Sequence, residues 1–184
     1  MFYVNILNIM EFRKSNKRDL EEVWDLLLRV RKNMEERSLF MWNDRYPSKE
    51  LFKEDVDNDA LYVYVDNGAI VASIAVSFDI IDEFFYYSKS KEKEALLLKT
   101  CEAKADEKPV ILHRLMVDPS SQGKGIGAKI LSAVKEAYPN HLMIFASYPK
   151  NDTANNLYRR LGYHNDGVYP FEYEGEWLLF HAHF

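Results

Sequence analysis

The segment VDPSSQGKGIGAKIL, residues 117–131, carries glycines at three alternate positions. They are Gly123, Gly125 and Gly127. The segment lies between an apolar run and a helical pattern, and the first amides of a helix have no partner within the helix. Glycine lets an anion approach such amides, the helix dipole favours negative charge there, and Lys124 adds a cation. The segment therefore predicts a phosphate-binding turn that opens a helix near Gln122.

Two common phosphate motifs do not explain this turn. A P-loop requires G-x-x-x-x-G-K-[ST], but Gly123-Lys124 is followed by Gly125, and Asp118 stands five positions before Gly123. The dinucleotide pattern G-x-G-x-x-G meets Ala128 at its third glycine, which is a tolerated variant. No acidic ribose-binding residue follows near position 145, where the chain reads MIFAS. The turn must therefore serve another phosphate ligand.

A second motif lies about thirty residues further on. It consists of Asn151, Ala154 and Tyr158, followed by the sequence LGY at 161–163. The two motifs together resemble the GNAT-type N-acetyltransferases, whose pyrophosphate loop reads Q/R-x-x-G-x-G/A and corresponds here to Gln122, Gly125 and Gly127. The resemblance is densest over residues 109–163, and the order of elements extends it over nearly the whole chain.

The resemblance implies a fold and an activity. The expected fold is of the mixed α/β (α+β) class, with a mostly antiparallel central sheet flanked by helices in one domain over residues 1–184. The expected activity is acetyl transfer from acetyl-CoA to a primary amine by direct attack. The charged residues 82–108 form an insertion that the family pattern covers poorly, either an exposed and partly helical segment or a loop on the substrate side.

The resemblance also assigns residues to the cosubstrate acetyl-CoA. Backbone amides of Leu115, Met116 and Val117 would bind the pantetheine arm and the thioester oxygen. The pyrophosphate would lie against Gln122, Gly123, Lys124, Gly125, Ile126, Gly127 and Ala128. Asn151 would contact the pantetheine side, and Tyr158 would lie near the sulfur as general acid, because a phenol of pKa about 10 can donate to a leaving thiolate.

The general base is less clearly indicated. His113 stands four residues before Val117, where arylalkylamine acetyltransferases of the same superfamily also carry a histidine, and a histidine near pKa 6.5 suits the task. A lone histidine in a buried strand is more often a hydrogen-bonded structural residue, and this alternative stays open. Glu83 and Asp79 are alternatives that would act through water, and solvent alone is a further one.

The elements that must position these residues follow from periodicity. Helical spacing of apolar residues predicts a helix within RDLEEVWDLLLRVRKNMEER, capped by Ser15 or Asn16, and a shorter helix within PSKELFKEDV. Asn67-Gly68 between two β-rich runs predicts a hairpin. Further strands are predicted for PVILHRLMV, buried on both faces, for HLMIFASY and for a closing pair around Gly175; further helices are predicted for GIGAKILSAVKEAY and NDTANNLYRRLGY. The opening MFYVNILNIMEFRKSNKRD is interpreted as a first strand rather than a signal peptide, and Met10 is a second candidate start.

Composition excludes several classes of function. The formal net charge of -5 argues against a nucleic-acid partner and favours a cationic acceptor, and no run of apolar residues suits a membrane span. The single cysteine, Cys101, excludes an intramolecular disulfide and a cysteine-based zinc site and suits a cytoplasmic protein. His181 and His183 share a strand face, but without a recognisable third ligand they are expected at the surface, so no metal is expected. A homodimer is compatible with the family.

The acceptor itself is left open between a small-molecule amine and a peptide or protein amine. Aromatic residues that line an acceptor pocket or belong to the core are Trp42, Tyr46, Phe84, Phe85, Tyr86 and Tyr87. Two alternatives to acetyl transfer also stay open, namely transfer of another acyl group and an acyl-CoA-binding sensor without turnover.

Overall fold

The computed structural model describes residues 10–184, which form six α-helices and seven β-strands. In chain order they are β1 Met10–Lys14, α1 Leu20–Glu36, α2 Lys49–Asp57, β2 Leu61–Asp66, β3 Ala69–Ser77, α3 Ile80–Phe84, α4 Lys91–Thr100, β4 Lys108–Val117, α5 Ile126–Ala137, β5 His141–Ser147, α6 Asp152–Arg160, β6 His164–Tyr169 and β7 Trp177–His183. A short 3-10 turn, Pro119–Ser121, follows β4. The strand expected at the start of the chain begins at Met10, and residues 1–9 lie outside the described part.

The strands are ordered β1-β2-β3-β4-β5-β7-β6 in a seven-stranded sheet. The ladders β1–β2, β2–β3, β5–β7 and β6–β7 are antiparallel, and β4–β5 is parallel. A mixed, mostly antiparallel sheet with flanking helices is therefore confirmed. The β4–β5 ladder runs from Lys108↔His141 to Ile111↔Ile144 and does not include the last residues of β4.

The described chain falls into two compact units. One contains the residues up to Ala75 together with Arg114–Ile130, and the other contains Val76–His113 together with Leu131–Phe184. In the first, α1 buries Val23, Leu26 and Leu27, three residues of one helical stripe. In the second, α3 and α4 cover β5 and β7 through a core that includes Phe84, Phe85, Leu97, Ile144 and Leu179. That residues 1–184 form one domain stays a prediction.

Local signals placed most elements correctly. The predicted hairpin turns at Asn67 and Gly68, with φ of +50° and +82°, as a tight turn requires. The predicted helix ending at Gly162 is α6, and Gly162 has φ of +86°. The N-terminal cap of α1 was predicted incorrectly. Asp19 occupies that position, and its carboxylate accepts hydrogen bonds from Asn16 and Arg13 instead of capping the helix.

The charged segment 82–108 is more ordered than an exposed loop. It contains the end of α3 and the whole of α4, which begins after Ser90, whose hydroxyl accepts from the amide of Lys93. The fully buried side chains of Leu97 and Cys101 anchor this helix to the core. The partly helical interpretation is therefore confirmed, and the segment is not a wholly exposed insertion. Its many charged residues obscure, in the sequence, the apolar residues with which α4 packs against the core.

Candidate functional site

The turn after β4 has the backbone of an anion-binding loop. Gly123 and Gly125 have φ of +76° and +78°, a region that disfavours residues with a side chain. A Cβ atom at either position would point into open space, with no other atom within 4 Å. Helix α5 begins at Ile126 and not near Gln122 as expected, because two left-handed residues cannot belong to a right-handed helix.

The amides of this turn have no partner of their own. Among residues 10–184, no backbone or side-chain oxygen accepts a hydrogen bond from the amides of residues 123–128, and the first helical bond there runs from the amide of Lys129 to Gly125. Lys124 is exposed beside them. Unpaired amides at a helix start, together with a cation, can hold phosphate groups, so residues 122–128 suit a pyrophosphate.

A carboxylate holds this turn in place. Asp118 Oδ1 accepts hydrogen bonds from the amide and the hydroxyl of Ser120, at 2.9 and 2.6 Å, and Oδ2 accepts from Arg29 Nε at 2.7 Å. Its own amide donates to Val71 O at 2.8 Å. Burial raises the pKa of Asp118, but the bonds from Ser120 and the ion pair with Arg29 outweigh it and hold that pKa below its ordinary value. The sequence places Asp118 in a turn, since Asp followed by Pro and two serines is a turn signal, but it does not predict these contacts of the carboxylate.

The end of β4 carries a strained residue just before the predicted thioester-binding amides. Arg114 has φ of +54°, which is unusual for a residue with a long side chain. Its buried guanidinium forms a bidentate pair with Asp55, in which Nη2 donates to Oδ1 at 2.7 Å and Nε donates to Oδ2 at 3.1 Å. This pair fixes the backbone that leads into Leu115, Met116 and Val117, whose residues lie beyond the β4–β5 ladder. Strain that is held by such contacts is typical of functional sites.

His113 and Glu83 are brought together by β4 and α3. His113 Nδ1 lies 3.0 Å from Glu83 Oε1, and both side chains are largely buried. The contact is not aligned as a hydrogen bond, and neither ring nitrogen of His113 has a hydrogen-bond partner within the described residues. The hydroxyl of Tyr173 donates to the backbone oxygen of Glu83 at 2.8 Å and holds the end of α3. A buried imidazole without hydrogen bonds costs stability, which favours a functional role.

Tyr158 lies on α6 in an aromatic cluster. Its ring packs edge-to-face on Phe145, with centroids 4.6 Å apart, and on Phe180 at 5.3 Å. Burial raises the pKa of Tyr158 to about 12, so the phenol keeps its proton at neutral pH. The side chain is therefore a hydrogen-bond donor in a rigid position.

The turn between β5 and α6 is held by two asparagines. Asn151 is the N-terminal cap of α6, and its Oδ1 accepts from the amide of Ala154 at 3.4 Å. The buried Asn155 accepts from Ser147 Oγ at 2.7 Å and donates to the backbone oxygens of Tyr148 and Pro149, both at 3.1 Å. Asn151 was predicted from the motif, but Asn155 was not, because its role appears only when the turn is folded.

The other sequence candidates separate into core and surface. Phe84 and Phe85 belong to the buried core, whereas Tyr86 and Tyr87 are exposed. Asp79 caps α3 by accepting from the amide of Asp82 at 2.9 Å, which engages one oxygen of the carboxylate proposed as a base.

The aromatic candidates of the α1–α2 connection remain near the surface. Trp42 is half-buried and Tyr46 is exposed, with its hydroxyl 3.4 Å from Arg114 Nη1. The expectation that both histidines of β7 lie on the surface was wrong for His181, which is 5% exposed. Helix α4 covers its side of β7, and no local pattern in the sequence announces that cover.

The sequence profile of the acetyltransferase (GNAT) domain matches residues 57–165, more than half of the chain. The chain belongs to the GNAT acetyltransferase family. It is by family an acetyl-CoA-dependent acetyltransferase, and both sequence motifs lie inside the matched region. No curated protein sequence matches the chain significantly.

Solved structures share the fold of this GNAT acetyltransferase at low identity. A GNAT-family acetyltransferase from Streptococcus agalactiae is 17% identical with a TM-score of 0.75, covering 98% of this chain and 99% of its own. The PaiA N-acetyltransferase from Thermoplasma acidophilum, solved with coenzyme A, is 13% identical with a TM-score of 0.66 and coverages of 96% and 99%. YncA from Salmonella typhimurium, solved with its cofactor acetyl-CoA, is 16% identical with a TM-score of 0.64 and coverages of 96% and 94%. None of the helices described for this chain is both long and apolar enough to cross a membrane.

Proposed function

We propose that this GNAT acetyltransferase moves an acetyl group from acetyl-CoA to the primary amine of a small molecule or peptide by direct attack. The run of unpaired amides at residues 123–128 carries the proposal, because it offers the pyrophosphate a set of donors that the fold leaves unused. Coenzyme complexes of PaiA and YncA, which share the fold, support the choice of cosubstrate.

Bound acetyl-CoA supplies the acetyl group as a thioester, so that the amine nitrogen bonds to the carbonyl carbon while the carbon–sulfur bond breaks, giving the N-acetylated amine and the free thiol. The chain has to position both reactants, remove a proton from the amine and stabilise the sulfur. Gln122 to Ala128 would hold the pyrophosphate with Lys124 as counter-charge. The amides of Leu115, Met116 and Val117 would polarise the carbonyl oxygen, and Asn151 would contact the pantetheine side.

His113 would take the amine proton, and Glu83 would orient the ring. The imidazole nitrogen nearest the carboxylate is 3.0 Å away, and the second nitrogen, which is buried, has no hydrogen-bond partner among the described residues. In this proposal the second nitrogen would receive the amine proton. A positively charged imidazole formed during the reaction would be stabilised by the carboxylate. General-base catalysis of this kind contributes about 10²- to 10⁴-fold in rate.

Tyr158 would donate a hydrogen bond to the sulfur as the thiolate departs. Since the pKa of Tyr158 is about 12 and that of a thiol is about 8.5, complete proton transfer is uphill. The phenol therefore lowers the barrier by its hydrogen bond, and solvent can supply the final proton. The role proposed for Tyr158 is therefore that of a hydrogen-bond donor to the developing negative charge on sulfur, and not that of a full general acid.

The first test is calorimetric titration of the purified chain with acetyl-CoA, followed by a panel of amines with release of free CoA as the readout. Saturable binding followed by amine-dependent release supports the proposal. Absence of binding overturns the cosubstrate assignment, whereas binding without release from any amine favours a sensor. Faster release with a longer acyl-CoA than with acetyl-CoA would point to another acyl group.

Two variants with matched controls test the residues. Tyr158→Phe should lower kcat about 10-fold or more while leaving acetyl-CoA affinity unchanged. Tyr163→Phe, in the same aromatic cluster, should leave kcat unchanged.

His113→Gln should lower kcat/KM about 100-fold at neutral pH with partial recovery at higher pH, where more of the amine is deprotonated by solvent. His141→Gln is its control. Equal activity of His113→Gln and the wild type would remove the histidine from the mechanism.

A further inference from the structure

One cluster of chemically active side chains contains none of the residues to which a role in acetyl transfer was assigned above. It consists of Cys101, Asp166 and His181, and one ligand atom of each lies within 4.8 Å of the others. Cys101 follows α4 directly, Asp166 belongs to β6 and His181 to β7. Cys101 and His181 are buried, and Asp166 is half-buried.

A β-bulge brings the carboxylate into this cluster. The β6–β7 ladder pairs Asn165 with Phe180 and Gly167 with Leu179, so that Asp166 is the extra, unpaired residue. Gly167 takes φ of +84°, and its amide donates to Asn165 Oδ1 at 2.9 Å, which fixes the irregular backbone. Bulges of this type re-aim a side chain and are frequent next to binding sites.

The carboxylate of Asp166 stands between two histidines. Asp166 Oδ2 is 2.6 Å from His181 Nδ1, and Asp166 Oδ1 is 3.3 Å from His164 Nε2. The His164 side chain is 68% exposed and marks the open side of the cluster. On the other side, Cys101 closes it against the core.

We propose that Cys101, Asp166 and His181 bind a divalent cation of the zinc class. Thiolate sulfur, imidazole nitrogen and carboxylate oxygen are the three ligand types that zinc takes in proteins, usually in tetrahedral geometry, and His164 or a water would be the fourth ligand. One thiolate and one carboxylate balance the two positive charges, so the buried site would be neutral. The Cys101 thiol would release its proton to solvent on binding, and His181 would ligate as neutral imidazole.

The sequence argued against such a site because it contains one cysteine and no regular ligand spacing. A mixed site needs only one cysteine, and its other ligands come from a hairpin more than sixty residues later in the chain. The metal would join the end of α4 to β6 and β7. It would therefore act as a structural clip for the segment 82–108 and take no part in acetyl transfer.

The test is a titration of tag-free protein, dialysed first against EDTA, with CoCl₂ near neutral pH. Expected are one Co²⁺ per chain, a sulfur-to-cobalt charge-transfer band in the near ultraviolet, the visible bands of tetrahedral cobalt, and displacement of all of them by ZnCl₂. Absence of saturable Co²⁺ binding overturns the proposal and leaves an ordinary Asp–His hydrogen bond beside a core thiol. A charge-transfer band that persists in Cys101→Ser also overturns it.

Two further variants keep the result interpretable. Asp166→Asn, at the half-buried ligand, should weaken Co²⁺ binding about 100-fold or more, and His183→Gln should leave it unchanged. His183 lies on the same face of β7, but its Nδ1 contacts the carboxylate of Glu107 at 2.8 Å. Circular dichroism and acetyl-CoA titration establish that each variant is folded. Saturating Zn²⁺ should raise the Tm of the wild type and of His183→Gln by about 3–5 °C, and equal rises in Asp166→Asn would contradict the assignment.

Discussion

Two strand-to-helix turns of this protein solve the same problem in opposite ways. After β5, Asn151 and Asn155 satisfy the amides and carbonyls of the turn with side chains. After β4, glycines take the place of such side chains, and the amides of residues 123–128 keep no partner among residues 10–184. The first arrangement stabilises the fold, whereas the second leaves donors for a ligand and depends on Asp118 for its shape.

The difference shows how a binding turn is recognised physically. Every helix start exposes amides, and most proteins cap them with Ser, Thr, Asp or Asn. A helix start without a capping side chain, preceded by two residues of positive φ, lacks the stabilisation that a cap provides. The pyrophosphate motif of the GNAT family is thus defined by the positions that lack a side chain as much as by the side chains that it requires.

Gly125→Val should give the largest effect of the variants that test this comparison. A β-branched residue at φ of +78° is strained and places atoms in front of the amides, so acetyl-CoA should bind about 100-fold more weakly by calorimetry. Gly175→Val is the matched control, since Gly175 has φ of +86° and is exposed in the β6–β7 connection. Equal affinity in both variants would show that residues 123–128 do not hold the pyrophosphate.

Asn155→Ala tests the second turn. It leaves the hydroxyl of Ser147 and two backbone oxygens without their partner, so the free energy of unfolding should fall by about 2 kcal/mol in urea titrations. Asn156→Ala, at an exposed neighbour, should change it by less than about 0.5 kcal/mol. A loss below about 1 kcal/mol for Asn155→Ala would mean that this turn does not depend on the buried amide.

Asn151 separates capping from binding. Asn151→Ala should lower the free energy of unfolding by about 1 kcal/mol, because the cap of α6 is lost. Asn151→Ser should restore that stability, since serine also caps helices, but acetyl-CoA affinity should stay reduced in calorimetry. If serine restored both, the residue would be a cap alone.

Asp118→Asn gives the smallest effect and depends on pH. The folded pKa of Asp118 is lowered, so its stabilisation is present above the unfolded value of about 3.9 and is lost as pH falls through the lower folded pKa. The variant should be less stable than the wild type by about 0.5–1 kcal/mol at neutral pH, and the difference should shrink in acid. A difference that stays constant from neutral pH to strong acid would exclude the ion pair as its cause.

The sequence predicted what is local and missed what is distant. The glycine turn, the Asn67-Gly68 hairpin and the amphipathic helices follow from residues within a few positions of each other. The Arg114–Asp55 pair joins residues 59 apart and the Arg29–Asp118 pair residues 89 apart, so neither has a spacing that a sequence pattern can register.

Two errors have the same origin at different scales. The start of α5 was predicted too early because all the free amides were expected in the first turn of the helix. The positive φ values of Gly123 and Gly125 end the preceding turn only at residue 125, so part of the free amides lie before the helix. The surface position expected for His181 failed because strand alternation gives the face of a residue and not what covers that face. The assignments of His113, Glu83 and Tyr158 to catalysis stay proposals that activity measurements decide.

The unpaired amides at 123–128 allow ligand binding to be measured by hydrogen–deuterium exchange of the protein itself. Amide protons without a hydrogen bond in an exposed turn exchange with deuterium as fast as those of an unfolded chain, whereas amides inside helices and strands are protected. Bound phosphate oxygens would slow exchange in a single short peptide that needs no label. Exchange mass spectrometry on residues 118–130 therefore distinguishes the free and the loaded protein without a known acceptor.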